Sequence, residues 1–529
     1  MTEPQPTVSQ NVSASTAYVL DAPYTWSYFE YQCPLLMSFI ATMNGHAAPR
    51  IDQPFTYCDL GCGNGVSVNL LAAAFPQAHF YGVDFNAEHI NNARNLATQS
   101  KLENVTFIEA SFEEFAKSDP PGFDFIAMHG IYSWVSADIR EQIRQLVAAT
   151  LKPRGLVYFC YNSFPGWSEL MPLWKMMQSY TQHIDANSLT RARAGLDQLR
   201  FLQDSNSAYF DETPSARSHL KRLLNRNINF VAHEFCNEFF EPQYFCDVAQ
   251  QFGTIGAEYA GTMKLHRNRL ENRVQERFFE HVREAKTAVE QETRTSFIRN
   301  EFFRRDLFRR PTSDDNQESA QSDIFDFVIG GLRSDEFPEA TLEIGHRSAR
   351  AHTPLMIKLY ELAQPGNLTG HELINHAELR QFGADKIKIA IQDLLESYML
   401  HPFSKPAVDV RWQNDDCFKI VDAVNRNFIE MKIFDEGKTY VISQVLGSAI
   451  RLSFINGLIL WKLDGQSFHA AKQDVLDHLS QLSEAERSRL KIPDQSRLEN
   501  WLDRKIKRFK NTYLSDLLRL AVVEIQNGN

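Results

Sequence analysis

Residues 55–65, FTYCDLGCGNG, constrain the fold more than any other stretch of the chain. An apolar run stops in Gly61, Gly63 and Gly65, and VSVNLLAAAF follows with the composition of a buried helix. Glycine permits a tight turn and lets backbone approach a ligand closely. The helix that follows offers unpaired N–H groups in its first turn. Strand, glycine turn and helix in this order predict a cradle for a nucleotide-like ligand.

The next hundred residues repeat that unit. AHFYGVD (78–84) precedes NAEHINNARNLATQ, with Asn86 as its predicted N-cap. NVTFIEA (104–110) precedes SFEEFAK, FDFIAMHG (123–130) precedes a helix over 136–151, and GLVYFCYN (155–162) closes the series. The strands are apolar runs without strict alternation, as expected when helices cover both faces. Five such units predict an α/β fold with a doubly wound, Rossmann-like parallel sheet and a ligand at its C-terminal edge.

The strand signal lapses over 166–230, which reads as a helical insertion. It resumes at AEYAGTMKL (257–265), residues 268–298 read as a charged helix, and NEFFRRDLFRR (300–310) reads as a late strand returning to the sheet. The predicted organisation is a disordered 1–17, an aromatic segment over 18–50, a core over 51–310, a polar linker over 311–323, a winged-helix-like regulatory region over 324–405 and a helical region over 406–529. Within the last, KTYVIS is a strand candidate and RLENWLDRKIKRFKNTYLSDLLRLAVVEI reads as a basic amphipathic helix. The aromatic segment crowds Tyr18, Tyr24, Trp26, Tyr28, Phe29 and Tyr31 just ahead of the glycine strand. It reads either as a strap behind the core or as a lid over the ligand.

A formal net charge of −11 argues against a protein that coats nucleic acid. The basic stretch RKIKRFKN leaves a nucleic-acid-binding regulator as the third reading, with nucleic acid not expected as a partner. Seven cysteines without a CxxC pair imply neither a disulfide framework nor a redox motif. The polar N-terminus has no Lys or Arg before Arg50, so no signal peptide is read. No run approaches the roughly 18 apolar residues of a membrane span. A cytoplasmic protein is expected, with no metal site.

A glycine turn of this kind serves dinucleotides and S-adenosylmethionine alike. The dinucleotide fingerprint is G-x-G-x-x-G. Here Val66 occupies the last position of that pattern and the third glycine comes one residue early, at Gly65. G-x-G-x-G preceded by Asp59 fits methyltransferases better. Gly61, Cys62, Gly63, Asn64 and Gly65 are then candidates for the methionine end of S-adenosylmethionine. Asp84, at the end of the second strand, is the candidate for the ribose hydroxyls. Ala110, Ser111 and Phe112 end the third strand where an adenine would lie, with Phe85 on its other side. His129, Gly130 and Tyr24 complete the predicted cofactor set.

DLGCGNG, YGVDFN, HGIYSWV, LKPRGLVYFCYNSFPGW, HEFCNEFFEPQYF and FFRRDLF together resemble bacterial class I methyltransferases that carry a methyltransferase regulatory domain. The rickettsial protein-lysine methyltransferases that modify outer-membrane protein B are similar to this group. The resemblance spans most of residues 18–450. It implies an S-adenosylmethionine cofactor and a macromolecular acceptor, a protein lysine first, with a glycan, lipid or small molecule as the alternative. A homodimer is the expected assembly.

HGIY stands where amino-group methyltransferases carry (D/N)PPY, with Tyr132 at the aromatic position and His129 replacing the acid or amide. Tyr161, Asn162 and Trp167 follow the fifth strand, and Trp134 is close in sequence. Aromatic faces attract cations by about 0.5–2 kcal/mol each. Tyr132, His129, Asn162, Trp134, Tyr161 and Trp167 are therefore the candidate acceptor-site residues. Tyr132 and Asn162 are expected to orient the acceptor.

Overall fold

A computed structural model describes residues 26–313, 323–332, 337 and 341–526. The N-terminal 1–25, with Tyr18 and Tyr24, and most of the predicted linker lie outside the described residues.

The core is a seven-stranded sheet in the order β3-β2-β1-β4-β5-β7-β6. Its strands are β1 Thr56–Leu60, β2 His79–Asp84, β3 Val105–Glu109, β4 Phe123–Met128, β5 Leu151–Asn162, β6 Glu258–Thr262 and β7 Phe303–Arg309. The first five pair in parallel, and β7 runs antiparallel between β5 and β6. The predicted late strand therefore does return to the sheet. The parallel strands require crossovers, and the helices α2 Val66–Ala74, α3 Ala87–Gln99, α4 Phe112–Lys117 and α5 Ala137–Thr150 supply them. A preceding helix, α1, spans Pro34–Met43. Asn86 caps α3 as expected, its side chain accepting from the Glu88 and His89 N–H groups.

Strand parity divides the interior into two faces. Tyr57, Phe80, Phe125, Tyr158, Cys160 and Leu307 face one apolar core, which continues into the C-terminal region. Cys58, Leu60, Met128, Phe159, Tyr161 and Phe308 face another, beneath α5 and the helix Phe245–Gly253. The insertion forms five helices between Met171 and Phe235 around a third core containing Trp134, Trp167, Trp174 and Phe240.

Two elements differ from expectation. Residues 268–298 form several short helices, the longest of them Ala288–Ile298. Most of the charges in this stretch are exposed, but Glu292 is drawn into a buried cluster. Glu292 is enclosed and bonded by Arg273 at 3.0 Å, Arg299 at 3.1 Å and Arg304 at 3.0 Å. Burial would raise its carboxyl, but these three cations hold it well below the usual range. The terminal basic helix ends earlier than its pattern implies. It runs over Gln495–Arg508, passes through a π-helical turn Phe509–Leu514, and after Ser515–Arg519 gives way to a strand, Val523–Gln526, paired with Cys417–Ile420. The β-branched run in AVVEIQ fits that partner.

Beyond the core, Val328–Gly330, Leu368–Thr369 and His401–Phe403 make a small sheet beside the helices Pro354–Ala363, Gly370–Ile374 and Ala384–Glu396. Lys438–Ser443 pairs with Ser448–Ser453 as a hairpin. This hairpin presses on the N-terminal segment. Tyr28 Oη lies 2.8 Å from Ser448 Oγ, and Cys33 Sγ donates to the Gly447 carbonyl at 3.1 Å. Lys432 sits 3.9 Å from the centre of the Trp26 ring. The 26–33 segment is thus held between core and C-terminal region, and that position shapes the site.

Candidate active site

The glycine turn begins at the end of β1. The Gly61 and Cys62 N–H groups both donate to the Val83 carbonyl, which ties the turn to β2. Gly65 enters α2 with φ +66°, and a Cβ there would lie 2.5 Å from Ala93 Cβ and under 3 Å from the Phe107 ring. Only glycine fits, because both its conformation and its closeness to α3 exclude a side chain. Asp84 reaches back from β2. Its carboxylate accepts from the Gly63 N–H at 2.9 Å and from the Asn86 N–H at 2.9 Å.

A cleft opens over this turn, lined by Ser27, Phe29, Gln32, Asp59, Gly61, Cys62, Asn64, Val66, Ser67 and His129. The Gln32 amide donates to both Asp59 oxygens at 2.9 Å. Burial pushes the Asp59 carboxyl up to about 7 against those bonds, and the Asp84 charge adds to the rise. Gln32 Oε1 is buried and has no hydrogen-bond partner. An orphaned buried acceptor costs about 1–3 kcal/mol. Here it sits beside a carboxyl in a cleft, a pair suited to a ligand ammonium. The Phe29 N–H donates to Ser67 Oγ at 3.1 Å, which pins the N-terminal segment to the first turn of α2.

His129 ends β4 and forms the far wall. Phe29 stacks on its ring at 3.9 Å between centroids. Its Nδ1 lies 2.8 Å from Tyr158 Oη. Burial, aided by the Arg305 charge, pushes His129 down to about 3, so the imidazole is neutral at physiological pH. A second cavity of about 530 Å³ lies beyond. It is lined by Tyr28, Tyr31, Arg305, Tyr440 and Tyr513 among others, and it shares Phe29 and His129 with the cleft.

The predicted cofactor residues thus partly converge. Asp59, Gly61, Cys62, Asn64 and His129 line the cleft, and Gly63 and Gly65 shape it with Asp84. The Gly130 N–H is directed to Cys160 Sγ at 3.1 Å. The Ala110 N–H bonds the Asp84 carbonyl, which brings the β3 end beside β2. Ser111 spends its hydroxyl in a capping box with Glu114, and Phe112 opens α4 partly buried in the core. Phe85 is 41% exposed beside Asp84. Tyr24 lies outside the described residues.

The acceptor-site expectation fares differently. Of its six residues, the cavities are lined only by His129. Tyr132 is fully buried against Phe159 and Phe252, its hydroxyl donating to Gln251 Oε1 at 3.0 Å and accepting from Arg144 at 2.9 Å. Tyr161 donates to Asp306 at 2.7 Å. Trp134 and Trp167 pack on Phe240 in the insertion core, and the Trp167 indole donates to Asn162 Oδ1 at 3.0 Å. Tyr132 and Asn162, expected to orient the acceptor, therefore line neither cavity. Parity accounts for the tyrosines: Tyr161 points to the sheet face opposite Tyr158 and Cys160, and Tyr132 joins it there. Asn162 shares the parity of Cys160 and is instead engaged by Trp167, Ser133 and Gln243. Phe29, Gln32 and Ser67 were not in the predicted site, although Phe29 belongs to the aromatic segment read as strap or lid. Tyr28 and Cys33 hold that segment against the hairpin, and Phe29 faces the cleft.

These residues fit S-adenosylmethionine: a turn whose Gly61, Gly63 and Gly65 all have positive φ, a strand-end carboxylate, and an unpaired acceptor beside Asp59. Fold and site together are those of an S-adenosylmethionine-dependent methyltransferase. Residues 51–247 match the family model described as a methyltransferase domain, and residues 227–310 match a predicted methyltransferase regulatory domain. The chain is similar to the uncharacterized protein sll1526 of Synechocystis sp., at 29% identity over 85% of this chain and 89% of the relative. It is similar to the uncharacterized protein RP028 of Rickettsia prowazekii, at 27% identity over 42% of this chain and 89% of the relative. Among solved structures, PKMT2 from Rickettsia typhi in complex with AdoHcy shares the fold with a TM-score of 0.70 and 18% identity, covering 95% of this chain and all of that one. Among the described residues, no helix is long and apolar enough to cross a membrane, and no cluster suits a metal ion.

Proposed function

We propose that the chain N-methylates lysine side chains of a protein acceptor. The observation that carries this reading is that the glycine cleft and the larger cavity meet at Phe29 and His129. A donor in one and a long side chain in the other would face each other there. The likeness to PKMT2 supports the acceptor class. S-adenosylmethionine, when bound, supplies an electrophilic methyl group on a sulfonium. Asp59, Gln32 and the turn from Gly61 to Gly65 would hold its methionine end, Asp84 its ribose, and Phe85, Ala110, Ser111 and Phe112 its adenine.

The remaining work of the protein is alignment and desolvation. A lysine must lose its proton before it can attack. The cavity beside His129 favours the neutral amine in two ways: burial disfavours an ammonium, and the Arg305 cation repels one. His129 is neutral and can accept or donate a hydrogen bond without adding charge. Tyr28, Tyr31, Tyr440 and Tyr513 offer aromatic walls to the aliphatic stem. We assign 51–310 to the catalytic unit, and 324–405 with 406–529 to the part that presents the acceptor.

The test is transfer of a labelled methyl group from S-adenosylmethionine to fractionated lysate, with protein, lipid and polysaccharide scored separately. The label should enter protein and be recovered as methyl-lysine after hydrolysis. Label confined to lipid or polysaccharide would overturn the assignment.

A further inference from the structure

Arg305 and Arg451 both line the larger cavity, and of the two Arg305 is the one that is partly buried. Its position on β7 is set opposite Cys160 of β5 in the antiparallel register. Residues so paired share a face, which puts Arg305 on the cleft side with Tyr158 and Cys160. Its guanidinium lies 4.6 Å from the Tyr31 ring centre and 4.7 Å from that of Phe303. These two rings fix the plane of the group but satisfy none of its donors. Nε is buried with no hydrogen-bond partner. Arginines nearby are treated differently: Arg304 is bidentate on Asp306, and Arg309 bonds Glu258. The cavity does contain acids, but Asp516 is paired with Arg519 at 3.0 Å, and Glu30 is exposed. Among the described residues no ion pair joins either to Arg305.

An arginine set against two aromatic rings, lining a cavity and with no hydrogen bond or ion pair among the described residues, is prepared for a planar anion. The guanidinium fork matches a carboxylate, and desolvation at the buried Nε strengthens such a bond. We propose that Arg305 recognises a carboxylate of the acceptor, so that the enzyme selects lysines with an acidic residue close by in the substrate. This rests on the lysine reading above for its acceptor, though the carboxylate site itself does not. The arrangement also has an electrostatic logic. An Arg305 paired with a substrate acid repels the incoming amine less, so a lysine accompanied by a carboxylate enters a cavity that a lone ammonium would avoid.

The probes are two pools of acetylated heptapeptides with a central lysine, one with glutamate at each of the three positions on either side, the other with glutamine. Their binding to the full chain with S-adenosylhomocysteine is measured by calorimetry, and methyl transfer to them is measured separately. The glutamate pool should bind at least about tenfold tighter than the glutamine pool. R305Q should erase that preference while S-adenosylhomocysteine affinity stays unchanged. R305K, which keeps the charge but loses the fork, should retain part of it, and R451Q on the hairpin side of the cavity should retain all of it. Equal binding of the two pools, or no binding of either, overturns the proposal, as does a preference that survives R305Q or vanishes in R451Q. Should R305Q fail to fold, an R305K preference equal to the wild type's overturns it too. A glutamate preference in binding without any methyl transfer would leave the carboxylate site standing and count against the lysine reading instead.

Discussion

Phe29 lies nearly flat on His129, its ring centre 3.9 Å away and tilted by 21°. One side chain comes from the segment ahead of the sheet, the other from the end of β4, and together they form the wall between two cavities. The contact fixes the neutral imidazole in place where the glycine cleft and the larger cavity meet. Phe29→Ala should open that wall. Methyl transfer should fall at least tenfold, while S-adenosylhomocysteine affinity falls less, because the Phe29 N–H bond to Ser67 Oγ uses backbone and survives. Phe29→Tyr, with the ring kept, should retain most turnover. Equal losses of transfer in the two variants would assign Phe29 no part in the wall.

Asp84 joins the turn to β2 and carries the proposed ribose contact. Asp84→Ala removes charge-assisted hydrogen bonds worth about 1.5–3 kcal/mol. Calorimetry should show S-adenosylhomocysteine binding weakened tenfold or more in a folded protein. Unchanged affinity would remove Asp84 from the cofactor site.

Asp59 predicts a pH dependence. Its folded pKa, about 7, lies above the ordinary value of an unfolded aspartate. Between about pH 4 and 7 the folded chain therefore keeps a proton that the unfolded chain has released, and stability falls as pH rises through that window. Glu396, pushed by burial to about 7, acts with the same sign. For Asp59 the shift corresponds to about 4 kcal/mol at most. Asp59→Asn should accordingly lose less melting temperature than the wild type between pH 5 and pH 8. A steeper loss in the variant would show that Asp59 is ionised throughout. A cationic ligand beside Asp59 should also expel its proton, visible near pH 6.5 as a buffer-dependent heat of S-adenosylmethionine binding.

Tyr132 tests the division of the sheet into two faces. Tyr132→Phe leaves the ring in the core but removes its bonds to Gln251 and Arg144. Stability should fall by about 1 kcal/mol, with cofactor affinity and methyl transfer unchanged. Loss of transfer at intact stability would return Tyr132 to the acceptor site.

Glu292 is the opposite case, a charge that only its partners make tolerable. Glu292→Gln leaves Arg273, Arg299 and Arg304 facing one another in a buried pocket, at a cost of about 3–5 kcal/mol. Thermal unfolding should register the loss. A variant as stable as the wild type would mean that Asp306 and Glu301, which already pair with Arg304 and Arg299, suffice to neutralise the cluster.

Much of this protein is determined locally, and that part is legible in the sequence. The glycine turn, the strand-end Asp84, the Asn86 cap and the alternation of apolar strands with helices each depend on residues within a few positions, so the sheet and the cofactor cradle could be read from 55–162. The acceptor side depends on contacts between distant segments. Parity along β5 sends Tyr161 away from Cys160, and no motif at HGIY reveals that Tyr132 follows it. Phe29 and Gln32 reach the cleft only because the hairpin at 438–453 presses their segment onto α2. Arg305 is one cation among several in FFRRDLFRR, and what leaves its donors unpaired is the register of β7 against β5. Most charges in 268–298 do stay at the surface, and nothing local in the sequence marks Glu292 as the one that three arginines enclose. Local chemistry decided which cofactor the chain could hold; packing between segments hundreds of residues apart decided which side chains the acceptor would meet.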